Sequence, residues 1–483
     1  MPPRLSRRGF LGAGALGLAV AGLGGLTSCG RIDHPTTREA VGYGRLLDDP
    51  DGILALPSGF TYTVLARSGE TSTSDGTHPS DPDGMGVFDA GNGGTVLICN
   101  HENDGTELHP VPAVEGLTYD PGASGGTSTL VVDAEGNRVS QYTSLAGTVN
   151  NCAGGVTPWG TWLSCEETSV RAGEEDFTKD HGYVFEVDPE SRDANLDRSP
   201  VPLKFLGRYS HEAVAIDPST AQIYLTEDAG GPSGLYYRWT PPPGFVPGRG
   251  ALRELAESEG GDVAGVLHAM RCLEDGTVVQ DLAEATSVGT RYEVQWLDVP
   301  DRDGQDESVR RQFDDDAITR AHKLEGQWWG DDGVYFVSSY ADAPDELEEA
   351  EGYGKQSLRL ALHHHNGQVW FYDPAAETVT LTVLFGVRED PDPEMRFERP
   401  DNITISPQGG LVLAEDGDGT SHLVGVTERG RAYALARNDH NDSEFCGPTF
   451  SKDGKYLFVN IQQPGFTVAI TGPWTRPSHE PVG

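Results

Sequence analysis

Six times along the chain, a short apolar run leads through a turn rich in Gly, Pro or Asp into a second apolar run that ends in carboxylates or amides. The segments are Met85 to Glu102, Asn151 to Glu167, Ser210 to Asp228, Leu324 to Asp342, Pro400 to Asp416 and Phe445 to Gln462. Apolar and β-branched runs around a compact turn signal read as β-hairpins. Hairpins repeated at long intervals point to small sheets stacked radially, an arrangement that protects strand edges. The expected fold is an all-β, six-bladed β-propeller with inserted loops and a small helical insertion. Oxygen ligands at the strand ends would then gather at one mouth of a central channel.

The first 28 residues have a different character. Ser6-Arg7-Arg8-Gly9-Phe10-Leu11 is a twin-arginine pattern, a Gly/Ala/Leu stretch follows, and Leu26-Thr27-Ser28-Cys29 resembles a lipobox. Residues 1–28 therefore read as a twin-arginine lipoprotein signal peptide, with lipid on Cys29 and export of an already folded protein. An uncleaved anchor or a cleaved, unlipidated secretory peptide are the alternatives. Later stretches fall short of the roughly 20 apolar residues a spanning helix needs. The expectation is an extracytoplasmic, monomeric protein that meets the membrane only through its lipid and the twin-arginine export machinery in transit. Residues 29–55 read as a tether, 56–474 as the propeller and 475–483 as a tail. An insertion at about 240–320, with a helix-like stretch from Ala251 to Met270, reads as a lid or subdomain over the channel.

Charge excludes several partners. The chain has 75 acidic and 35 basic residues, and losing Arg4, Arg7 and Arg8 with the leader leaves 32 basic residues and a net charge of −43. Such a surface repels nucleic acid and anionic lipid. The run Asp345-Glu346-Leu347-Glu348-Glu349 reads as a solvated insert. Other acids close apolar runs that commit the chain to burial, and buried carboxylates need cations.

Of the six cysteines, Cys29 goes to lipid and five remain, so at least one is unpaired. Cys152, in Asn151-Cys152-Ala153-Gly154-Gly155, has glycines that permit close backbone approach and suits a metal thiolate. Cys99, Cys165, Cys272 and Cys446 read either as disulfide partners in some combination or as small buried hydrophobes. Glu212 and Glu325 open their hairpins as Cys152 opens its own, and Asp401-Asn402 does so again. Asn100, Glu102, Glu166, Glu167, Asp228, Glu415 and Asp416 stand at hairpin exits. Carboxylate and amide oxygens suit Ca²⁺, whereas a thiolate among carboxylates suits a transition ion such as iron. His101 and His211 read as supports for ligands. Neither a nucleophile elbow nor a GxxxxGK phosphate loop is present, so the expected chemistry belongs to metals.

The blocks NCAGG with TPWGTWLSCEE, GRYSHEAVAIDP, EGQWWGDDGVYFVSS, RPDNITISPQGGLVLAEDGDG and EFCGPTFSKDGKYLFVNIQQPG, together with the twin-arginine signal, resemble the PhoX alkaline phosphatase family over nearly all of the mature chain. That resemblance implies a six-bladed propeller holding two Fe³⁺ and three Ca²⁺. It implies Cys152, Glu212 and Glu325 as iron-site ligands, with Asn100, Glu102, Glu166, Glu167, Asp228, Asp401, Glu415 and Asp416 in the remaining metal shells. The implied activity is extracytoplasmic release of phosphate from small phosphomonoesters. The family's active enzymes carry an arginine two residues before the glutamate of Glu-Gly. Here Lys323 precedes Leu324-Glu325, a phosphate contact without a bidentate fork. The competing readings are a non-catalytic, calcium-stabilised binding propeller and a phosphodiesterase- or lactonase-like propeller hydrolase.

Overall fold

A computed structural model describes residues 41–71, 75–91, 93–174, 176–196, 200–341, 365–386, 396–417 and 419–477. The expected signal peptide, Cys29 and all of the acidic 342–362 interval lie outside them. Each expected hairpin is an antiparallel pair, and the first strands of the six pairs run Pro82–Gly91, Asn151–Val156, His211–Ile216, Leu324–Gly330, Pro400–Ile405 and Phe445–Phe450. These first strands touch one another in cyclic order, the sixth returning to the first. They are the ring strands.

Around them the sheets form a propeller-like, all-β arrangement. Among the described residues, two sheets have four strands, one has three, one has six, and the largest has ten. The largest contains the third and fourth ring strands and is continuous because Arg291–Asp298 pairs with both Val266–Glu274 and Thr378–Phe385. The stretch expected to be helical from Ala251 to Met270 is helical only over Ala251–Glu257, and Val266 onward is a strand. Leu267 and Ala269 are buried on one face in one apolar cluster, and Met270 and Cys272 on the other face in the next, as in a strand covered on both sides. The insertion thus contributes strands of its own to the sheet.

Closure joins distant parts of the chain. Thr61–Arg67 pairs with Phe466–Thr471, and Leu54–Pro57 pairs with Ala432–Asn438. The expected tether thus ends earlier than residue 55, since Leu46–Leu47 and Leu54–Pro57 are already sheet. Six apolar clusters fill the seams between successive hairpins. Tyr236 stacks on Phe336 across one seam, with ring centroids 4.4 Å apart. All five described cysteines are buried and free, which favours the small-hydrophobe reading over disulfides for Cys99, Cys165, Cys272 and Cys446.

The ring is tight because small residues face the next strand. A Cβ on Gly84 would lie 2.6 Å from Ala153 Cα, and one on Gly326 would lie 2.7 Å from Asn402 Cα. Backbone cannot yield as a flexible side chain can, so Gly326→Ala is expected to destabilise the protein by about 1–3 kcal/mol. A thermal melt measures this, and an unchanged midpoint would show that the ring can widen there.

Candidate functional site

The same irregularity recurs at the entry of every ring strand. Pairing slips between Pro82 and Met85, Asn151 and Gly154, His211 and Val214, Leu324 and Gln327, Pro400 and Ile403, and Cys446 and Thr449. A bulge re-aims the side chains inside it. The first residue within each slip is Asp83, Cys152, Glu212, Glu325, Asp401 and Gly447, respectively. Five of the six positions thus carry a metal-ligating side chain, and all five are buried. Ligand atoms of Cys152, Glu167 and Glu212 lie within 4.8 Å of one another, as do those of Glu212, Glu325 and Asp401. Glu212 belongs to both groups.

A second, half-buried layer follows the hairpin exits. Glu102, Glu167, Asp228 and Asp416 lie in it, with Glu444 joining from the entry of the sixth hairpin. Carboxyl meets carboxyl three times, in Asp83 with Glu102, Glu167 with Asp228, and Asp416 with Glu444. Asn150 Nδ2 donates to Glu102 Oε1 and to Glu167 Oε2, at 3.2 Å each. Gln462 Nε2 donates to Glu102 Oε2 at 2.5 Å. Lys323 Nζ stands 3.3 Å from Glu325, 3.7 Å from Asp416 and 4.0 Å from Asp228.

Burial, reinforced by neighbouring acids, drives the Asp83, Glu167, Glu212, Asp401 and Glu444 carboxyls well above the ordinary range. Burial likewise raises Glu102 to about 7, and raises Glu325 to about 8 against the opposing pull of Lys323. It also pushes the Cys152 thiol up, with Glu212 adding to the effect. The Lys323 ammonium is stabilised mainly by Glu325. One ammonium cannot balance acids packed this closely at neutral pH, so the donor set calls for multivalent cations. The buried Asp83 Oδ1, which has no hydrogen-bond partner, is a further free donor atom. The residues present fit a polymetal centre.

Not every expected ligand joins this cluster. Asn100 is consumed locally: Nδ2 donates to the Cys152 and Ala153 carbonyls, and Oδ1 accepts from Trp162 Nε1 and Ser164 Oγ. Glu166 accepts from the Val149, Gly182 and Tyr183 amides and is 2.6 Å from His181 Nδ1. Glu415 accepts from the Glu398 and His422 amides and approaches His422 Nδ1 at 3.0 Å. These three brace the strand ends that carry their neighbours. His101 does likewise through the Ser80 carbonyl and Ser128 Oγ, and His211 Nε2 contacts the Gly207 carbonyl. Cys152, Glu212, Glu325, Asp401, Glu102, Glu167, Asp228, Asp416 and Lys323 are brought together as expected. Asp83 and Glu444 were missed. Pro82-Asp83 repeats the signal of Pro400-Asp401, which could have found Asp83.

Fold and site together define a class, propeller-like proteins with an acidic, thiol-containing cluster on the ring axis. The chain belongs to the PhoX alkaline phosphatase family, whose model matches residues 41–465, and is thereby a phosphatase. Among solved structures it is similar to Pseudomonas fluorescens PhoX in complex with vanadate, at 18% identity and a TM-score of 0.65, covering 90% of this chain and 98% of that one. A gluconolactonase from Xanthomonas campestris matches at 10% identity and a TM-score of 0.41, over 90% and 100% of the two chains. The PQQ domain of Coprinopsis cinerea pyranose dehydrogenase matches at 9% and 0.36, over 88% and 98%. No curated protein matches the sequence.

Proposed function

We propose that the chain is an exported, metal-dependent phosphomonoesterase whose site is the cluster on the ring axis. The observation that carries this reading is the repeated slip, which places Asp83, Cys152, Glu212, Glu325 and Asp401 at one equivalent position of five ring strands. The cyclic contacts and six apolar seams support six blades, the third and fourth joined through Arg291–Asp298. Cys152, Glu212, Glu325 and Asp401 would hold iron, and the carboxylates of the second layer would hold calcium. Bound there, these cations supply Lewis-acid activation of a phosphoryl group. The protein's part is to fix the ligands on short, buried strands. Lys323, kept charged by three carboxylates, adds a point charge for phosphoryl oxygens. The complex of the Pseudomonas fluorescens relative with vanadate, a transition-state analogue, is consistent with phosphoryl transfer at such a centre. Export by the twin-arginine route with lipid on Cys29 follows from the leader, and small phosphorylated molecules are the substrates.

Hydrolysis of p-nitrophenyl phosphate set against bis-p-nitrophenyl phosphate tests the reaction class, with Glu325→Gln as control. Faster cleavage of the monoester is expected, and a preference for the diester would replace the monoesterase reading. Elemental analysis of protein matured through its own export route is expected to find iron together with calcium. Calcium alone would favour a binding propeller. Cys152→Ser exchanges a soft thiolate for a hard hydroxyl and is expected to lose iron while far-UV circular dichroism stays unchanged. Undiminished iron would remove Cys152 from the ligand set.

A further inference from the structure

One sector of the rim is unlike the others. The residues immediately before the six ring strands are Asp81, Asn150, Ser210, Lys323, Arg399 and Glu444, so both cations of this set precede neighbouring strands that touch one another. The left-handed backbone at this position is common to Asp81, Asn150, Lys323 and Arg399, with φ of 46°, 51°, 37° and 46°, so what distinguishes Lys323 and Arg399 is their charge, each two residues before a ring carboxylate, Glu325 and Asp401. They also meet at one aromatic ring: the Arg399 guanidinium carbon lies 4.4 Å from the Tyr340 centroid, and Lys323 Nζ lies 5.8 Å from it. The Arg399 backbone is pinned on both sides. Its N–H donates to the Asn366 carbonyl at 2.7 Å, and its carbonyl accepts from the Asp416 N–H at 2.9 Å. A guanidinium over an aromatic face has a restricted orientation, and its N–H fork matches two oxygens of one phosphoryl group, which an ammonium cannot do.

We propose that Arg399, held over Tyr340, is the bidentate contact to the non-bridging phosphoryl oxygens of the substrate, with Lys323 supplying charge beside it. The inference rests on the phosphatase reading of the axial cluster. It assigns binding of the phosphoryl group to a sector spanning two neighbouring ring strands and leaves the metal ligands to the axis. Among the six residues that precede the ring strands, Lys323 and Arg399 are the two whose charge attracts a phosphoryl dianion.

Arg399→Lys keeps the charge and removes the fork, and Arg399→Ala removes both. With iron and calcium contents unchanged, Arg399→Lys is expected to raise KM for p-nitrophenyl phosphate, and the inhibition constant of inorganic phosphate with it, by about tenfold. Arg399→Ala is expected to raise both by about 100-fold, and kcat should stay within about threefold for the lysine variant. Unchanged KM and phosphate inhibition in both variants would overturn the proposal, as would metal loss accounting for the change. If the metal-loaded parent protein hydrolyses no ester, the phosphatase reading fails separately. Calorimetric titration with inorganic phosphate then decides the inference: weaker binding by Arg399→Ala than by the parent sustains it, and equal affinity overturns it.

Discussion

Glu212→Gln is expected to lower phosphomonoesterase turnover by at least about 100-fold while leaving the fold intact. Among the described residues, Glu212 is the member shared by the two groups of potential ligands, one with Cys152 and Glu167 and the other with Glu325 and Asp401. Glutamine keeps the shape and removes the charge, so one substitution weakens both ends of the cluster. Folding should survive, because burial, reinforced by neighbouring acids, already pushes the Glu212 carboxyl upward, and a neutral glutamine removes that cost. Turnover and metal content read out the result together. Loss of both with an unchanged melting profile is expected, whereas full turnover would place the reaction elsewhere.

The second large effect concerns stability against pH, and its sign depends on whether metal is bound. In chelated protein, Glu102 keeps its proton up to about 7 and Glu325 up to about 8, both above the ordinary glutamate value of 4.5. Between 4.5 and those values the folded chain binds more protons than the unfolded chain, so stability must fall as pH rises. The melting temperature of chelated protein is therefore expected to drop by about 5 °C or more from pH 5 to pH 8. Metal-loaded protein should behave oppositely, because protons compete with cations for the same carboxylates and loosen the site at low pH. Parallel pH profiles for the two forms would show that these acids do not hold metal.

Cys152, Glu212, Glu325 and Asp401 were legible in the sequence because each opens an apolar run at the same place in its hairpin. Asp83 occupies the equivalent place but is hidden, because the apolar run of the first hairpin opens at Met85, three residues after its strand begins at Pro82. Glu444 was hidden for another reason, since the sixth hairpin has Gly447 at the slip and contributes its acid one residue before the strand instead. At the exits, Glu166-Glu167 and Glu415-Asp416 looked equivalent as pairs. Successive strand residues point to opposite faces, so one member of each pair braces the hairpin while the other reaches the axis. Choosing between them needs the register, which the slip alters. The sheet built from Val266–Glu274 and Arg291–Asp298 was obscured by the short helix Ala251–Glu257 just before it.

Chelation tests the central claim most directly. Protein matured through its own export route is assayed with p-nitrophenyl phosphate, then assayed again after dialysis against a chelator and after iron and calcium are restored. The predicted result is hydrolysis that falls by at least about 100-fold on chelation and returns with the metals. Hydrolysis undiminished by chelation, once elemental analysis has verified that the metals are gone, would contradict the account.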